Sequence, residues 1–110
     1  MILSTTDTVV GMRPTETLGV VTGNSVRSRF FLRDMLASLK NLIGGEVSTY
    51  TRMMADARDH ALVRMIEAAE EKGADAVINV RFATSAIMRQ AAEVLAYGTA
   101  VKLGPDEGGA

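Results

Sequence analysis

From Glu46 to Lys72 the chain runs without a glycine or a proline, although ten glycines are spread over the rest of the sequence. Within that run Tyr50, Met54, Ala57, Ala61, Met65 and Ala68 recur at alternating spacings of three and four, and Leu62, Ile66 and Ala69 widen the stripe. A single apolar stripe with that period is the mark of an amphipathic helix. The helix is expected to start within residues 46–49, with Ser48 as its N-cap and Glu46 at the positive end of its dipole. It is expected to end near Lys72, where Gly73 can take the left-handed conformation that closes a helix. Such a helix is roughly 40 Å long. It must bury its stripe against another element, and the alanines on that stripe let the partner come close.

The segments around the long helix supply partners. Ile2 to Thr6 reads as a short edge strand, and Gly11 to Pro14 as a turn or loop. Glu16 to Gly23 reads as a strand with Leu18, Val20 and Thr22 on one face and Gly19, Val21 and Gly23 on the other. Glycines inside a strand point to close approach of another backbone. Phe30 to Ile43 carries Phe31, Met35, Leu36, Leu39 and Ile43 at helical spacing, and Gly44 and Gly45 end that shorter helix. After the long helix, Ala76, Ile78, Val80 and Phe82 alternate with Val77, Asn79 and Arg81, which predicts a half-buried strand. Residues 86–92 are expected to be a connection. Glu93 to Leu103 is the last strand, with Leu95, Tyr97, Thr99, Val101 and Leu103 on one face. The order is β-β-α-α-β-β, with no repeats. It predicts an α+β domain in which an antiparallel sheet packs on two helices.

The bulk numbers set limits on function. At 110 residues and 11.7 kDa, the chain fits one domain, 1–103, followed by a flexible polar tail, 104–110. A domain this small gains from association. With 5% aromatic residues and no tryptophan, the core must come from aliphatic residues and seven methionines. A net charge of -1 disfavours nucleic acid as a partner. There is no cysteine, hence no disulfide, thiolate nucleophile or zinc-thiolate site. The N-terminus lacks the pattern of a signal peptide, and no apolar run is long enough to span a bilayer. A cytoplasmic protein without a membrane partner is expected.

The segments 30–54, 70–82 and 96–103 together resemble the YbjQ-like family, a group of small uncharacterised proteins with a heavy-metal-binding label. The opening segments 4–9 and 18–26 match its start as well, so the resemblance covers almost the whole chain. It implies a subunit related to the dodecin-like ones and a ring-shaped homo-oligomer, a pentamer. It implies no particular activity. Departures fall at Glu46 and Val47, where the family usually has a basic residue and a serine, and at Thr51, where an acid often follows the tyrosine.

Few residues offer chemistry. Gly44 and Gly45 lack the lysine of a phosphate loop and follow a helix rather than a strand, so they read as a helix corner. His60 is the only histidine. Asp56 lies one helical turn before it and Asp59 beside it, a trio that offers imidazole and carboxylate donors to a divalent metal. Arg52 and Arg64 flank the trio, as on an ordinary mixed-charge helix face. Glu67, Glu70 and Glu71 beside Lys72 read as the solvated end of the helix. Arg33 and Asp34 suit an ion pair or an interface contact. No histidine-based catalytic constellation is recognisable. The expected function is therefore a non-enzymatic, oligomeric binding module, with a divalent metal as its conceivable cofactor. The alternative is an enzyme or ligand-processing protein with a site assembled between subunits from Arg33, Asp34 and Tyr50. Gly44, Gly45, Tyr50 and Gly73 serve structure or interfaces in either case.

Overall fold

A computed structural model of the chain describes residues 1–28, 46–88 and 91–106. Four strands and one helix fill these segments: β1 (Ile2–Leu3), β2 (Met12–Ser28), α1 (Glu46–Glu71), β3 (Ala76–Met88) and β4 (Ala91–Pro105). The strands form one sheet in the order β1-β3-β4-β2. β4 is antiparallel to both of its neighbours, but β1 runs parallel to β3, with Ile2 opposite Ala76. The expected antiparallel sheet under two helices is thereby overturned. The sheet is mixed, and the described residues contain a single helix, in the order β-β-α-β-β. Strand direction failed as an expectation because β1 meets a strand far along the chain, and no local pattern encodes the sense of such a pairing. The shorter helix expected over 30–43 lies outside the described residues, as do Arg33, Asp34, Gly44 and Gly45.

α1 lies across β2 and β4 and barely reaches β3. Its buried line is Met53, Ala57, Ala61, Met65 and Ala69, each four residues after the last. Such a ridge slants across the helix axis, which fits a helix resting on a twisted sheet. From the sheet, Val21, Val77, Val80, Val94, Ala96 and Ala100 complete this core. Contact is closest at Gly23. A Cβ placed there would lie 2.2 Å from the Ala61 carbonyl oxygen and 2.3 Å from the Met65 nitrogen. The helix backbone therefore sits directly on the strand backbone, as a glycine inside a strand suggests. α1 ends as expected. Gly73 has φ +76°, its amide donates to the Glu70 carbonyl, and the Ala74 amide donates to the Ala69 carbonyl. This pair of bonds is the Schellman closure.

The alternation expected in β3 breaks at Asn79. Ile78 faces Thr99 and Arg81 faces Tyr97, so Asn79 and Val80 together stand opposite Gly98. Asn79 has φ 53°, a left-handed conformation that asparagine tolerates better than most residues. The extra residue shifts the phase of the strand. Ala76 and Ile78 pack with Val101 on the face away from the helix, whereas Val77 and Val80 enter the helix-side core. A second irregularity between Thr17 and Gly19 lets Leu18 pack against the helix-side core, so Leu18 and Val20 do not share one face as expected. β3 and β4 are also longer than expected. They run as a ribbon to Met88 and from Ala91, through the segment expected to be a connection, and β4 extends to Pro105. β2 likewise begins at Met12, inside the expected turn.

Candidate functional site

The candidate metal ligands lie on the outer flank of α1. Ala57 and Ala61 are buried against the sheet, so the neighbouring positions point outward: Asp56 is half-buried, and Asp59 and His60 are exposed. Asp56 and His60 stand one turn apart on the helix, which is the spacing that lets two side chains share an ion. Imidazole with carboxylate suits borderline divalent ions such as zinc, nickel or copper. Among the described residues, however, no three histidine, aspartate or glutamate side chains come together as a metal cluster. The donor chemistry fits a metal, but one chain supplies only part of a coordination set from these residues.

Next to this flank, Arg64 ties α1 to the sheet. Arg64 Nη1 donates to the Asn24 carbonyl at 2.6 Å, and Asn24 Nδ2 donates to Glu93 Oε2 at 3.1 Å. The relay links α1, β2 and β4. Arg64 thus has a structural task at β2, which the sequence did not reveal because the partner is 40 residues away. Tyr50 lies in the N-terminal part of α1. Gly73 serves the helix end described above.

Ser25 is the polar residue that sequence reasoning missed. It is buried on the helix side of β2, and among the described residues its Oγ has no hydrogen-bond partner. A buried hydroxyl without a partner costs about 1–3 kcal/mol. Ser25→Ala is therefore expected to be neutral or to stabilise by up to about 1 kcal/mol, as read from urea unfolding. A loss of more than about 1 kcal/mol would show that the hydroxyl is satisfied in solution.

A family model described as "Putative heavy-metal-binding" matches residues 1–104. The chain belongs to the YbjQ family. Within it, the chain is 60% identical to a UPF0145 protein of Methanoculleus marisnigri over 105 residues, covering 96% of this chain and 98% of the relative. It is 52% identical to a UPF0145 protein of Shewanella frigidimarina at the same coverage. The fold is similar to the crystal structure of a DUF74-family protein of unknown function from Pediococcus pentosaceus, with TM-score 0.64 and 18% identity over 94% of this chain and 98% of that one. That likeness concerns the fold of the YbjQ domain alone. Among the described residues no helix is long and apolar enough to cross a membrane.

Proposed function

We propose that the protein is a non-enzymatic binding module that takes divalent metal ions as a homo-oligomer, with each ion held by ligands from more than one subunit. The observation that carries this reading is the outward-facing Asp56–His60 pair, one turn apart, in a chain matched along residues 1–104 by a heavy-metal-binding family model. Shape supports assembly. The accessible surface is 7096 Å², whereas a compact monomer of this mass exposes about 5,900 Å². The radius of gyration is 17.6 Å, against about 13 Å for a compact domain of this length. The excess is comparable with what a subunit buries in a standard interface, about 800 Å² per partner. A pentamer is the assembly we propose, by resemblance to the family. A reducing cytoplasm suits a chain without cysteine.

Calorimetric titration with zinc or nickel tests the metal reading. The expected result is saturation at no more than one ion per chain, because a closed head-to-tail ring has as many joints as subunits. Asp56→Ala combined with His60→Ala should weaken binding at least about tenfold, the loss of roughly 1.4 kcal/mol or more expected when two donors are removed. An unchanged affinity would remove both residues as ligands. Light scattering tests assembly: a mass of 11.7 kDa in solution would defeat it.

A further inference from the structure

The bulge at Asn79 decides where Arg81 stands. Without the extra residue Arg81 would share the helix side with Val77. With it, Arg81 lies opposite Tyr97 on the face away from the helix. There its side chain meets the segment that follows β1. Nη1 donates to the Thr5 carbonyl at 2.7 Å and to the Val80 carbonyl at 2.9 Å. Both Nη1 protons are thereby used, and the guanidinium is fixed in orientation. Nε and Nη2 have no partner among the described residues. The segment from Ser4 to Thr8 has likewise spent its acceptors. The Ser4 carbonyl accepts from the Val80 amide, the Thr6 carbonyl from the Asn79 amide, and the Thr8 carbonyl from the Thr6 hydroxyl. In a trans peptide the amide points opposite to the carbonyl of its own plane. The Ser4 and Thr6 carbonyls point into β3, so the Thr5 and Asp7 amides point away from it. Both residues are exposed, and neither amide has a hydrogen-bond partner among the described residues.

We propose that the anchored Arg81 guanidinium and the Thr5 and Asp7 amides bind a phosphate-class oxyanion, either a free phosphate ion or the phosphoryl group of a small ester. Three features select this ligand. First, the place is rich in donors and has few acceptors left, which suits an anion and not a cation. Second, Nε and Nη2 form the side-on fork of arginine, which matches two oxygens of one oxyanion. The two amides call for further oxygens, more than a carboxylate offers. Third, the Thr5 carbonyl that anchors Arg81 lies between the two amides along the chain, so cation and amides belong to one short stretch. The guanidinium is already held, so binding does not have to immobilise it. The Asp7 carboxylate beside the site opposes an anion and keeps the affinity modest. The site lies on β3 and the segment after β1, away from the Asp56–His60 pair on α1, and needs no second subunit.

Amide nuclear magnetic resonance of the full chain tests the site. Inorganic phosphate is titrated at constant ionic strength, with a chelator present to keep divalent metals out. The Thr5 and Asp7 amide signals should move and saturate with a midpoint of about 1–10 mM. Arg81→Lys keeps the charge but loses the fork, and should raise the midpoint at least about fivefold. Asp7→Asn leaves every named anchor in place and should lower it about threefold or more. Thermal midpoints of both variants check that they fold. Glycerol phosphate forms the second arm: a midpoint equal to or below that of phosphate assigns the site to phosphoryl groups, and a higher one assigns it to the free ion. Shifts at Thr5 and Asp7 that stay linear to about 50 mM phosphate would overturn the proposal. So would a midpoint that neither Arg81→Lys nor Asp7→Asn changes.

Discussion

Gly23→Ala is expected to destabilise the protein by about 3 kcal/mol, the upper end of what overpacking costs. The clash is with backbone on the other side: 2.2 Å to the Ala61 oxygen, 2.3 Å to the Met65 nitrogen and 2.9 Å to the Arg64 carbonyl carbon. Side chains can rotate away from an added methyl, but a helix backbone can only lift as a body. Lifting it would loosen the buried line from Ala57 to Ala69 and stretch the Arg64 bond to the Asn24 carbonyl. For a domain of this size each kcal/mol moves the thermal midpoint by roughly 4–8 °C. A fall of more than about 10 °C is therefore expected at fixed protein concentration, which matters if subunits associate. A midpoint within about 3 °C of wild type would mean that the helix stands further off the sheet than the structure has it.

Met65→Ala acts on the same contact by the opposite mechanism. Met65 is fully buried and, among the described residues, the largest of the fully buried side chains. Its removal leaves a cavity between α1 and the sheet, lined by residues that pack tightly around it. Buried methionine-to-alanine changes cost about 2–5 kcal/mol, and a loss of about 3 kcal/mol is expected in urea unfolding. Val63, 52% exposed on the same helix, is the control. Its replacement by alanine should stay within about 0.5 kcal/mol. The double variant Gly23→Ala with Met65→Ala is informative, because the space vacated by the side chain does not relieve a clash with the Met65 backbone nitrogen. Rescue of Gly23→Ala by Met65→Ala would contradict this geometry.

The helix and its end were legible in the sequence because both are local. A 3.6-residue period and one glycine contain the information for α1 and its Schellman closure. The close approach at Gly23 was legible as well, since a glycine inside an apolar strand has few other uses. Three features were not. The parallel sense of β1 depends on a partner more than seventy residues away. The phase of β3 depends on one left-handed residue, Asn79, which a period-two pattern passes over. The Arg64–Asn24–Glu93 relay joins residues that only the folded sheet brings together. Of the candidate site, the helical spacing of Asp56 and His60 could be read from the sequence. The burial of Ser25 could not, because a serine between asparagine and valine carries no sign of the helix above it.

The pairing of β2 with β4 also governs time. Its register begins with Met12 opposite Pro105, so the two ends of the domain close a loop that spans nearly the whole chain. α1 and the β3–β4 ribbon are built from nearby contacts and can form early. β2 has no partner until β4 is in place, and its buried Val21 has no helix to lie under until α1 has docked. Long-range pairings of this kind slow folding toward milliseconds or longer. During that wait the edge of β4 that will take β2 has no partner, and its free amides and carbonyls are where a wrong pairing can begin.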